Sequence, residues 1–375
     1  MHRPALLAAF LVLACASAPV SSADTSTSAG TATSTDAMTS GDPTTSPSSD
    51  PATDPASDSD PAATSPSTSD TDVEPTGDTS GDPPIPRDAI AVAVGYGTRR
   101  VRSQDGLAWT DFVEVDPNGG DDDNLLRGVG YGDGMFVAVG GAGAALTLRS
   151  LDGSAWESIA NDLGNFVSDV AWQDGTFVAA GGNGLRARSL DAGGSWQDAA
   201  PYYSGHFRAI AAGDGIFVAV GHTYGDSMIG LSSTSTDGAT WTTETTFGAP
   251  MGGGSIAFGD GVFVARDGSG AIRTSTAGTW GEPVAQQQGE GRVIRAGGVF
   301  ITSGTDGFFS STDGAQWEPI GGGDGRGVVA WLDGRYLSLG WPLSIDASED
   351  LQSWQNAFAM DGPGLTDIAV GSPGQ

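Results

Sequence analysis

Apolar and polar positions in the C-terminal three quarters of the chain come in short bursts separated by Gly, and residues 126–159 show the unit. Residues 126–132 put Val129 and Tyr131 on one face and small residues on the other, the two-residue period of a strand. Asp133-Gly134 follows, a pair suited to the two positive-φ positions of a tight hairpin. Residues 135–140 are apolar on both faces, which predicts a strand covered from both sides. A third strand is predicted over 145–150. A turn at Asp152-Gly153 then leads into a fourth strand that opens on Trp156.

The unit recurs. The hairpin pair reappears as Asp174-Gly175, Asp214-Gly215, Asp260-Gly261 and Asp333-Gly334, with Gly297-Gly298 in the sixth copy. The copies end at Trp109, Trp156, Trp196, Trp241, Trp280, Trp317 and Trp354, in steps of 37 to 47 residues. A repeat of roughly 40 residues rich in Gly and β-formers predicts an all-β, seven-bladed β-propeller over 88–375. The first copy opens at residues 89–95, which match second strands, whereas 365–371 match first strands. The C-terminal segment is therefore expected to supply the innermost strand of the first blade, with Ile368 beside Val92, leaving no free sheet edge.

The turn before each Trp resembles the Asp-box of sialidases and other BNR-repeat propellers, Ser/Thr-x-Asp-(x)-Gly-x-x-Trp. Its pairs are Asp105/Trp109, Asp152/Trp156, Asp191/Trp196, Asp237/Trp241, Asp313/Trp317 and Asp350/Trp354. The fifth copy lacks the Asp and the seventh lacks the Gly. The resemblance covers nearly all of 88–375, but only through scaffold motifs, with each Asp capping its own turn. The Phe/Tyr-Arg-Ile-Pro segment of sialidases has no match at Pro84-Ile-Pro-Arg87, and no Tyr–Glu nucleophile pair is assignable. Seven-bladed Asp-box glucanases match the blade count but work between two propellers. The chain is also similar to photosystem II assembly factors of the Asp-box type, which act by binding a partner. A binding module for a glycan, peptide or protein at the channel face is the leading expectation. A glycoside hydrolase or lyase is the alternative.

Composition adds an address. Arg3 and an apolar run over 5–14 fit a secretory signal and are too short to span a bilayer as a helix. Cys15, the only cysteine, follows Val12-Leu13-Ala14 as in a bacterial lipobox, so residues 1–14 read as a signal peptide and Cys15 as a lipidation site. A lone cysteine permits no internal disulfide. Residues 15–87 are nearly all Ser, Thr, Asp, Pro, Ala and Gly, without an aromatic, and are expected to form a disordered linker. The reading is an exported monomer in the cell envelope, held to the membrane by its lipid alone. A formal charge of −30 with no lysine argues against nucleic-acid binding and removes Schiff-base chemistry.

Inner strands line the channel of a propeller, so their approach ends are the natural ligand contacts. Arg127 and Arg208 lie six residues before their turn Asp, while Arg292 and Arg326 lie close to that position but out of register. Such arginines could gather a carboxylate, sulfate or phosphate, or pair with acids such as Asp169 and Asp367. His206, with Tyr202, Tyr203 and Arg208, forms the densest polar-aromatic cluster. The acidic loop around Asp121 and Asp123 has hard oxygens but no recognised calcium spacing. His206 and His222 without cysteine make no zinc set. No catalytic residue, metal or cofactor is expected.

Overall fold

A computed structural model describes residues 88–116, 122–198, 205–225, 228–250, 254–287, 291–304, 307–321 and 327–372. Cys15, the 15–87 linker, Asp121, Tyr202, Tyr203 and Arg326 lie outside the described residues. The strands form seven four-stranded sheets. The protein is an all-β, seven-bladed propeller. In the second blade the strands are Leu126–Gly132, Met135–Gly141, Ala145–Ser150 and Glu157–Ser158, antiparallel throughout. Asp133 and Gly134 both take positive φ, 48° and 71°, which is what a two-residue hairpin between right-twisted strands requires.

The first blade is assembled from both ends of the described chain. Leu365–Gly371 pairs antiparallel with Ile90–Gly95, and Arg100–Ser103 and Trp109–Val113 complete the sheet. The register differs by one residue from the sequence expectation: Ile368 faces Ala93, and Val92 faces Ala369. No turn joins these strands, so no loop length sets their pairing. What sets it is the alternation of faces, and the outcome repeats the other blades, where Val129 faces Ala138 and Ile210 faces Ala219.

Among the described residues, buried apolar side chains fall into seven clusters, each between neighbouring blades. The second strands supply both sides of these contacts. Val137 and Val139 face the third blade while Phe136 and Ala138 face the first, which is why the strand had to be apolar on both faces.

The Asp–Trp turns tie each blade to the one before it. In the second blade Ser150 Oγ accepts from Gly153 N at 2.8 Å, Asp152 Oδ1 accepts from Ser154 N and Ala155 N at 2.9 and 3.1 Å, and Trp156 Nε1 donates to Gly153 O at 2.9 Å. The carboxylates point into their own turns. Gly153 takes φ 74°, and a Cβ there would fall 2.6 Å from Val92 Cγ2 of the first blade. The same valine position meets the turn glycine at Gly193/Val137 and Gly238/Val178. In the seventh blade Leu351 replaces the glycine, keeps φ 62°, and packs into the cluster with Ile301.

Candidate functional site at the channel rim

The inner strands of the first four blades each carry one extra residue at their approach end. The ladders shift between Leu126 and Gly128, Val167 and Asp169, Phe207 and Ala209, and opposite Val94/Gly95. The residues set out of the ladder are Arg127, Ser168, Arg208 and Thr366. Bulges of this kind redirect side chains and favour binding sites. The equivalence of Arg127 and Arg208 in sequence therefore survives as an equivalence in space.

These two arginines frame the third blade. Arg127 is half-buried, donates from Nε to Gly141 O at 3.1 Å, and lies 5.0 Å from the centre of the Phe166 ring. Arg208 is exposed and donates from Nε to His222 Nε2 at 3.2 Å. Partial burial lowers the Arg208 pKa and the charge of Arg127 lowers it further, so the two cations feel one another. No carboxylate lies within ion-pair distance of Arg208 among the described residues.

Between them lies a run of rings. His206 sits 5.4 Å from Phe166, 4.9 Å from Tyr224 and 5.6 Å from His222, centre to centre. Its Nδ1 accepts from Asn183 N at 3.3 Å, and the Tyr224 hydroxyl donates to Asn183 Oδ1. Burial holds the pKa of both histidines below the usual value, with Arg208 pushing the same way. Tyr224, Met228 and Ile229 are all exposed beside this cluster. The set joins fixed positive charge to flat aromatic surface and a few apolar side chains, a composition suited to gripping an anionic group on a larger partner. Phe166, Asn183 and Tyr224 carry no sequence signal, since each lies in a loop or turn outside the repeat pattern.

One residue further in, Asp367 and Asp169 flank Gly128 around the channel. Asp367 Oδ2 accepts from Val129 N of the second blade at 2.8 Å, and Asp169 Oδ2 accepts from Ile210 N of the fourth at 2.9 Å. Each stitches its inner strand to the next blade. Burial and then the charge of Asp367 raise the Asp169 pKa to about 7. Gly128 leaves room for this approach, because a Cβ there would meet the Asp169 Cα at 3.1 Å. Arg292 is placed against Asp367 at 3.8 Å and does not join Arg127 and Arg208. No group of metal-ligating side chains occurs among the described residues.

Fold and rim together define a seven-bladed β-propeller with a cationic, aromatic rim. No family profile matches the chain, and no curated protein matches it. Among solved structures it is similar to YCF48 bound to a D1 peptide, at 18% identity and a TM-score of 0.49, over 66% of this chain and 85% of that one. It is also similar to YCF48 from Cyanidioschyzon merolae, at 17% identity and 0.47, over 63% and 85%. The WD40 propeller domain of Doa1 aligns at 14% identity and 0.48, over 68% and 90%.

Proposed function

We propose that this protein is a membrane-tethered binding module that holds an anionic group of an extracytoplasmic peptide or protein partner at the rim of its second to fourth blades. The observation that carries the reading is the pairing of Arg127 and Arg208 across the third blade. One of them is exposed and without a carboxylate partner among the described residues, and aromatic rings lie between them. In a chain of net charge −30 such a spot is a local exception that selects anions. The Asp–Trp turns fit the Asp-box pattern and contribute scaffold rather than chemistry. Export and acylation at Cys15, with residues 15–87 as a tether, would hold the rim clear of the membrane.

A glycoside hydrolase or lyase draws support from one feature, the elevated pKa of Asp169 beside Asp367. Both Asp169 oxygens, however, are taken up by the N–H groups of Val170 and Ile210. That supports binding without catalysis. The deciding experiment screens the full chain against peptide and glycan arrays and against chromogenic glycosides. Saturable binding of anionic members, weakened at least tenfold in Arg127→Ala/Arg208→Ala, is the expected result. Product release from a glycoside, or binding indifferent to both arginines, would overturn it. Cys15→Ser should move the protein from the membrane fraction to the soluble one.

A further inference from the structure

The repeat offers an internal comparison at its third strands. Arg100 opens Arg100–Ser103 in the first blade, and Arg186 opens Arg186–Ser189 in the third. Both guanidinium groups lie over the Trp of the following blade, 5.8 Å from Trp156 and 5.2 Å from Trp241. Arg186 is neutralised there: Nη1 donates to Ser233 Oγ at 2.8 Å and Nη2 to Glu244 Oε1 at 3.1 Å. Arg100 is only 7% exposed, yet among the described residues its side chain makes neither a hydrogen bond nor an ion pair. Its Nε is sealed from solvent without a partner.

Aligning the two following blades explains the difference. Phe136 pairs with Ser150 as Phe217 pairs with Ser235, so Leu148 occupies the place of Ser233, while Ile159 stands three residues after Trp156 as Glu244 stands three after Trp241. Both replacements are buried and apolar. The guanidinium is thus partly withdrawn from water, through its Nε, without a counter-charge, which is costly, and an uncharged side chain could fill this space without that cost.

We infer that the seam between the first and second blades at Arg100 is a carboxylate site, in which a ligand carboxylate takes the place that Glu244 holds beside Arg186. The carboxylate would receive the Arg100 guanidinium in a two-pronged grip, and the apolar part of the ligand would lie against the half-buried Trp156 ring. This site is separate from the rim.

The test uses the full chain with hexanoate, acetyl-leucine and 1-hexanol as probes, read by melting temperature and calorimetry. Hexanoate or acetyl-leucine should stabilise the protein saturably and hexanol should not. Which of the two acids binds more tightly tells an acyl-chain source from a peptide C-terminus. Arg100→Gln should lower affinity at least tenfold. Leu148→Ser/Ile159→Glu, which gives the second blade the Ser and Glu that the fourth holds at matching distances from its Trp, should fold with a melting temperature at or above wild type and no longer respond to either acid. Arg127→Ala/Arg208→Ala should leave the response unchanged, which separates failure here from failure at the rim. Acids that act no differently from hexanol would overturn the inference. So would a response that survives in Arg100→Gln or in the Leu148/Ile159 variant. If Arg100→Gln does not fold, the Leu148/Ile159 variant decides alone.

Discussion

Arg208 donates from Nε to Nε2 of His222 across 3.2 Å, and this bond fixes the charge state of the histidine. Arginine can only donate, so Nε2 must be the bare acceptor and Nδ1 carries the proton toward Thr223 O at 3.1 Å. Protonated His222 would face Arg208 with a second donor. Burial, together with Arg208, keeps the His222 pKa below its ordinary value despite the opposing pull of Thr223 O.

A histidine with a lowered folded-state pKa contributes stability that is present above about pH 6.5 and is lost as pH falls toward the folded value. The protein should therefore lose stability as pH falls below about 6.5, and His222→Gln, which can still accept from Arg208, should remove that part of the slope. Urea titrations at half-unit pH steps check it. Protonating His206 and His222 also adds positive charge at the rim, so anion affinity should rise over the same range.

Asp169 carries the opposite sign. Its folded pKa of about 7 lies above the unfolded value, so its ionisation opposes folding and stability from this group falls as pH rises from about 4 through 7. Asp169→Asn should flatten that part of the curve and be more favourable at pH 8 than at pH 5. A variant whose curve stays parallel to wild type would show that Asp169 does not titrate as described.

Asp237 tests the acid side. The N–H groups of Thr240 and Ala239 hold its pKa at about 2, so its contribution is present above about pH 4 and fades as pH falls through 2. Asp237→Asn should reduce the acid sensitivity of unfolding below pH 4 and leave stability at pH 7 nearly flat with pH. Acid titration followed by Trp fluorescence reads it.

Gly153→Ala should destabilise the fold by about 2–5 kcal/mol. Left-handed backbone in a non-glycine residue costs ~1–2 kcal/mol and overpacking ~1–3 kcal/mol, and the new methyl would press on Val92. Val92→Ala should recover part of the loss, giving a measurable coupling in a double-mutant cycle.

Removing residues 364–375 takes away the strand Leu365–Gly371 and the Asp367 stitch to Val129. Cooperative unfolding should disappear, because both faces of the first blade lose cover at once. A melting transition like that of the intact chain would contradict the ring closure.

Much of this molecule was legible in its residues. Strand positions, Asp-Gly hairpins and the return of residues 365–371 to the first blade follow from local patterns repeated seven times. The position of Ile368 missed by one residue because its strand has no hairpin to count from. The extra residue at Arg127 and Arg208 was hidden because a bulge leaves composition and spacing intact while changing where a side chain points. The partnership of Asn183, His206 and Tyr224, and the contrast between Arg100 and Arg186, depend on contacts between blades. No periodicity along one blade encodes them.

The pairing of Ile90–Gly95 with Leu365–Gly371 also sets an order in time. While the chain is being made, Ile90–Gly95 waits with an open flank until Leu365–Gly371 emerges some 270 residues later, so the circle shuts late and all at once. A nascent chain stopped anywhere before that point presents an unfilled seat for a strand. A stray segment from another copy could take that seat, which makes slow completion the vulnerable moment in the life of this protein.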